Sequence, residues 1–407
     1  MELDTMKNAT IGNPQLIRSM NETIALEFIL QHGRLSRADL SRITGLSKPT
    51  VSSAIANLLA SGLIREVGHG ESGPGRKPTL IEFNGSSHYA LAAEIAADHI
   101  HLALSNLLGE TMAEHQYAIR DTNEPASLTA ELKAKAEALL SGQGIGWNKV
   151  IHMAIGVPAV VDEQGELSIM VSKLRGLEKH LSKASLARVF PCRIILENDV
   201  NLAALAEFKE GAAAGSSLFA YLSLDAGIGA GLMIDGKLLR GLGGAAGEFG
   251  EMLIEPDVRL EERISEAGLF SLAEAVLRRD DIPSVLRGHA QMETADIFAA
   301  ARSEDPAALQ IIGEYSRIVA RGIHNLCVVL APRLVVLGGS VGENGEVMLP
   351  FLKEIIAAEF KDKPELKCTA LRSKSVLKGA IQTAVAHTLE YIKDNLLANK
   401  ARDNVAE

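Results

Sequence analysis

The sequence predicts a small winged helix-turn-helix followed by a larger α/β unit, and three observations carry that reading. Residues 36–64, SRADLSRITGLSKPTVSSAIANLLASGLI, fall into short helical patterns broken by a glycine and a serine–proline turn. The stretch that follows, LIREVGHGESGPGRKPTLIEF, has two strand-like arms around a glycine-rich tip. Beyond Asn84 strand-like runs alternate with helical ones, the pattern of an α/β architecture with open sheets.

The 407 residues are too many for one ordinary domain, and two or three are expected. Boundaries are expected at 1–84, 85–395 and a polar tail, 396–407. Hydrophobic residues make up 47% of the chain and aromatics only 4%, so Ala, Leu, Ile and Val must fill the cores. Nothing at the N-terminus has the basic-then-apolar form of a signal peptide, and no apolar run reaches the roughly 18–20 residues of a membrane span. Cys192, Cys327 and Cys368 lie far apart with no CxxC pair, which suggests neither a disulfide framework nor a thiolate zinc site. A cytoplasmic protein with no membrane contact is the expectation. The net charge of -10 excludes nucleic acid wrapped over the whole surface but allows one basic patch on a small domain.

Taken in order, residues 21–32 carry a broad apolar face from Ile24 to Leu30 and read as a helix. Ser36 N-caps the next helix, with Asp39 three residues on as in a capping box. Gly45 suits the turn of a helix-turn-helix. Ser47 caps a third helix, and Pro49 falls in its first turn, where the missing N–H costs little. Val51, Ala54, Ile55, Leu58 and Leu59 form its buried stripe, while Lys48, Thr50, Ser52, Ser53 and Asn57 lie largely opposite. Short polar groups near a helix N-terminus are what base edges and phosphates require, although the same face could simply be solvated. Strands at about 63–68 and 79–83 then flank a tip that carries Arg76 and Lys77, two cations suited to a phosphate or the minor groove. Helix, turn, polar helix and basic wing in that order point to double-stranded DNA.

The larger unit opens with two strands, HYALAAEIAADHIHLALSN, then a turn at Gly109–Glu110 and a helix at about 126–141. KVIHMAIGVPAVVD is a buried strand. RIILENDVNLAALAEFKEGAA reads as a strand, a polar loop and a helix. SLFAYLSLDAGIGAGLMIDGKLLRG gives two strands and a hairpin, and RLVVLGGSVGE gives a strand ending in a double glycine before a helix at about 346–359. The strand pairs at 89–108 and 218–235 echo each other, and two similar halves would leave a ligand cleft between them.

The stretches SRADLSRITGLSKPTVSSAIANLL, GPGRKPTLIEFN, IGVPAVVD, ILENDVN, GIGAGLMIDGKLLRG, GGAAGEFGEM and VVLGGSVG together resemble the ROK family (repressors, open reading frames and sugar kinases). Within it they are most similar to the transcriptional regulators of the xylose-repressor, Mlc and NagC type. The resemblance implies a duplicated, actin-like (ribonuclease H-type) α/β domain behind the winged helix. It also implies homodimers or homotetramers that release DNA when a sugar binds.

Departures from the family pattern are as informative. Where its kinases cradle ATP phosphates with an aspartate, glycines and a threonine, this chain has EIAADH. Glu94 stands for the aspartate, Ala96 and Ala97 for glycines, and Asp98 for the threonine. The second phosphate turn carries Asp225 and Ala226. Added carboxylates there disfavour a polyphosphate, so neither kinase activity nor a nucleotide cofactor is expected. The family's zinc-binding histidine is replaced by Glu251 and its cysteine loop is missing, so no metal is expected. A carboxylate site on Glu248, Glu251 and Glu261 would in any case favour Mg or Ca.

The resemblance places Asp199 at the position of the kinases' catalytic base, here for hydrogen bonding to ligand hydroxyls beside Asn198. It also places Glu248, Glu251, Glu261 and Lys173 around the ligand, and Ala159 replaces a family glycine. The expected function is a DNA-binding regulator, a repressor controlled by a sugar-like effector in the interlobe cleft and bound to a palindromic operator. A sugar kinase fused to a DNA-binding domain, or a regulator controlled by a protein partner, are the competing readings.

Overall fold

A computed structural model describes residues 14–69, 78–119, 125–169, 174–279, 282–289, 292–359 and 363–402. The first helix, Pro14–His32, starts a full two turns earlier than the apolar run at 21–32 indicates. It packs on the helices Arg37–Thr44 and Lys48–Ala60. A three-stranded sheet, Leu35–Ser36, Thr79–Phe83 and Ile64–His69 in spatial order, completes the winged helix. Its core is Leu26, Ile29, Leu40, Val51, Ile55, Leu58 and Ile81, all fully buried.

The larger unit is built twice over on one plan. The first sheet runs in the spatial order Arg193–Asn198, Val150–Val157, Tyr89–Ile95, His99–Asn106, Thr111–Ala118. The second runs Glu365–Cys368, Leu334–Gly338, Leu218–Leu224, Ile228–Ile234, Lys237–Leu238. Each sheet has three antiparallel strands from consecutive hairpins, then two strands added in parallel. This repeat is the duplicated α/β fold that the strand echo suggests. The strand Thr111–Ala118 is an element the sequence reading leaves out. It is an edge strand with most of its side chains exposed, so it lacks the apolar alternation that marks a half-buried strand.

Two helices lie between the sheets: Asp199–Glu210 and the last helix, Ser375–Arg402. The two helices approach closely because Gly379 has no side chain in the way: a Cβ there would lie 2.0 Å from the Leu202 carbonyl oxygen. Gly231 likewise lets the strand Ile228–Ile234 approach the first of them, since a Cβ there would lie 2.5 Å from Ala204 Cβ. The fully buried Glu207 fastens the pair. It accepts hydrogen bonds from the backbone N–H of Ala212 (2.6 Å) and Leu371 (3.2 Å) and from the hydroxyl of Thr369.

The last helix also corrects the expected tail. Residues 396–402 continue it, and 403–407 lie outside the described residues. Its far end joins the core of the winged helix through Ile392, with Leu389 and Leu396 packed against it, and Lys393 pairs with Glu27 of the first helix at 3.1 Å. One helix therefore touches both units. No helix among the described residues is long and apolar enough to cross a membrane.

Candidate DNA face and ligand cleft

The helix-turn-helix forms for local reasons. Ser36 accepts the Asp39 N–H at 3.1 Å, and Asp39 reaches back to the Ser36 N–H at 3.3 Å. The Ser36 hydrogen bonds, helped by the Arg42 guanidinium, hold the Asp39 carboxyl below its ordinary range. Gly45 ends the second helix at φ +73°, a left-handed conformation that suits glycine. Ser47 accepts the Thr50 N–H at 3.3 Å and starts the third helix.

On that helix Lys48, Ser52 and Ser53 are exposed and Thr50 is half-buried. Asn57 is a correction. Its amide donates to the buried Glu22 of the first helix at 2.5 Å, so it joins two helices instead of facing outward. The reason is angular: the C-terminal half of the third helix turns the Asn57 side against the first helix. Arg76 and Lys77 of the wing tip lie outside the described residues. The wing strands are held by Arg34 and Arg65, which both pair with Glu82 at 2.8 and 2.7 Å and keep its carboxyl low.

The candidate ligand site is where strands of both sheets end, the position at which open α/β sheets take ligands. Glu94 ends near the close of one strand, Asn198 closes another and N-caps the helix that begins with Asp199, and Asp225 follows a strand of the second sheet. No polar loop separates strand from helix at Asn198. Its side chain accepts the Asn201 N–H at 3.0 Å and donates to the Ala159 carbonyl at 3.1 Å. Asn198 thus orients the turn, with both ends of its amide engaged by the protein.

Asp199 and Glu94 are half-buried among other carboxylates. Burial, with Asp225 and Glu248 nearby, pushes the Asp199 carboxyl up to about 7. Burial together with Asp199 and Asp225 pushes Glu94 up to about 8. Glu248 is raised by burial and by Glu251 and Glu261. The structure therefore gathers Asp199 and Glu248 with Glu94 and Asp225, the last two known from the sequence only as departures at the phosphate turns.

The other candidates have prior engagements. Glu251 is exposed and pairs with Arg259 at 2.7 Å. Glu261 accepts the Ile228 N–H at 3.2 Å. Lys173 lies outside the described residues. The sequence reading misses a cation that bridges the two lobes beside Asn198. Arg240, just after the hairpin strand Lys237–Leu238 of the second lobe, binds the buried Glu197 of the first at 2.6 and 3.0 Å. Neither "EN" nor "LLRG" announces a pair 43 residues apart. Asp225 is engaged as well, accepting the Ser340 N–H at 3.1 Å, and the Ser340 hydroxyl donates to Glu266 at 2.8 Å. Among the described residues no group of three or more His, Cys, Asp or Glu is placed to hold a metal ion.

Such a wall accepts hydrogen bonds from hydroxyls and repels anions. It also makes a pH-dependent contribution to stability. A carboxyl whose folded value lies above its unfolded 4.5 stabilises fully below about pH 4.5, and the effect is lost as pH rises through 8. Glu94→Gln is therefore expected to raise the melting temperature by a few degrees at pH 8–9 and to change little at pH 4.5. Melts across that range check this, and an equal effect at both ends would mean that Glu94 titrates as an ordinary exposed carboxyl.

Comparison with known proteins adds the following. A model described as the ROK family matches residues 90–386, and one described as the MarR family matches residues 18–73. The chain is 27% identical to the "Xylose repressor" of Caldicellulosiruptor bescii, an alignment covering 94% of this chain and 99% of that one. Among solved structures it is similar to a ROK family transcriptional regulator described as a homolog of the E. coli MLC protein. The TM-score is 0.74 at 22% identity, with 95% of this chain and 99% of that one covered. A ROK family glucokinase from Streptomyces griseus, solved with glucose and AMPPNP, matches with a TM-score of 0.61 at 22% identity over 72% of this chain and 98% of that one. The fold is thus shared by regulators and kinases.

Proposed function

Because the chain belongs to the ROK family, we propose that it is a transcriptional regulator, a repressor whose affinity for DNA is set by a neutral sugar bound in the interlobe cleft. One observation carries this reading: a winged helix with an exposed polar recognition helix shares a hydrophobic core with the last helix of the cleft-bearing unit. Lys48, Thr50, Ser52 and Ser53 read DNA, with Arg76 and Lys77 at the wing. Asp199 and Glu248 accept hydroxyls of the effector, with Glu261 and Lys173 at its rim. The two units divide near residue 85, and the protein acts in the cytoplasm as a homodimer or homotetramer on a palindromic operator. The name of the C. bescii relative suggests xylose as the first sugar to try.

A non-enzymatic role is favoured by Asp225. Its carboxylate takes the Ser340 amide and adds negative charge at the second phosphate turn, where a nucleotide's phosphates would need the room.

The test is a binding measurement. Full-length protein is used to select sequences from a random duplex library, and affinity for the selected duplex is compared with that of Lys48→Ala. A loss of about tenfold, 1.4 kcal/mol, is expected. Equal affinity would remove the third helix from the DNA interface, and failure to bind any duplex would remove the regulator reading.

A further inference from the structure

The winged helix keeps most of its described cations occupied. Arg34 and Arg65 are held by Glu82, Arg37 by Glu66 at 3.1 Å, and Arg42 by Asp39 at 2.7 Å. Two cations make no ion pair among the described residues: Lys48 on the third helix and Arg18 on the first. Both are exposed.

Their positions are related. Ile17, Arg18 and Asn21 of the first helix line a hollow with Thr50, Ser53 and Ala54 of the third. Further along, Glu22 bonds Asn57. Residue numbers rise together along the two helices, so they run side by side with their N-terminal ends adjacent. The end of the third helix that presents Lys48 is therefore flanked by the end of the first helix that presents Arg18. A helix whose N-terminal end enters the major groove places its flanking neighbour over the phosphate backbone at the groove edge. The acidic residues of the first helix are engaged within the protein. Glu22 is buried against Asn57, and Glu27 pairs with Lys393.

Resting on the reading that this chain binds DNA, we propose that Arg18 is a second, sequence-independent anchor, its guanidinium bound to a phosphodiester beside the groove read by the third helix. The planar fork suits two phosphate oxygens, and an arginine here fixes the register of the recognition helix without reading a base.

The experiment uses full-length protein, a duplex selected from a random library by that protein, and the unselected library. Arg18→Ala is expected to lose about tenfold in affinity for both. It should flatten the dependence of log K on log salt by about 0.9 per chain, the signature of one lost phosphate contact. Arg18→Lys should restore most of the slope, and melting temperature should be unchanged because the side chain is exposed. Parent-like affinity and slope in Arg18→Ala would overturn the anchor while leaving DNA binding by the parent intact. A loss confined to the selected duplex would overturn the phosphate assignment in favour of a base contact. A parent that binds no duplex would fail both this inference and the reading it rests on.

Discussion

Asp199→Asn is expected to lower effector affinity by about 100-fold while leaving DNA affinity without effector unchanged. The figure follows from the roughly 1.5–3 kcal/mol that a hydrogen bond to a charged group contributes, since each 1.4 kcal/mol is tenfold. The position supports the asymmetry. Asp199 opens the helix that runs between the sheets, far in sequence from the recognition helix, and its own fold-related bond is to the adjacent Val200 N–H at 2.8 Å. Asparagine keeps an oxygen for that bond but cannot accept a charge-assisted one from a sugar hydroxyl. The pH profile gives a second readout. With the carboxyl pushed up to about 7, the parent should bind a neutral pentose or hexose more tightly as pH rises through that value, and the variant should not. Calorimetric titration with free sugars, paired with release of a selected duplex, measures both. Equal sugar affinity in parent and variant would take Asp199 out of the cleft's binding wall.

The largest loss of stability is expected from Glu207→Ala, about 3 kcal/mol by urea unfolding. The carboxylate is fully buried and collects the Ala212 and Leu371 N–H groups and the Thr369 hydroxyl. Alanine leaves these donors in a dry interior with nothing to bind, which costs more than the bonds themselves contribute. Glu207→Gln should cost less, because one acceptor oxygen remains. A loss below about 1 kcal/mol for alanine would mean that water or a main-chain shift satisfies the donors. The residue sits where the helix that begins at Asp199 meets the start of the last helix, whose other end packs in the winged helix. Weakening it should also blunt transmission from cleft to DNA.

Several features were legible from residues alone because their causes are local. The capping box at Ser36–Asp39, the glycine at 45 and the Ser47–Lys48–Pro49 start are set by bonds within a few residues, and they appear where the sequence puts them. The strand echo at 89–108 and 218–235 announces the duplication, because each antiparallel pair is closed by its own short turn. The carboxylates at 94 and 225 are visible as residues out of place in a phosphate cradle.

What the sequence by itself determined is therefore the order of elements, the repeat and the chemical character of the two surfaces. The tertiary structure decided which of the polar residues are free to act. It ties Asn57 to Glu22, Asn198 to Ala159 and Asn201, Glu251 to Arg259 and Arg240 to Glu197, and leaves Arg18 and Lys48 without ion pairs among the described residues. It also joins the last helix to the winged helix across more than 360 residues of chain, as the Lys393–Glu27 pair shows. Pattern along a chain reports which side of an element is apolar. It carries no record of which partner a polar group meets once distant segments are brought together, because that choice is made by packing.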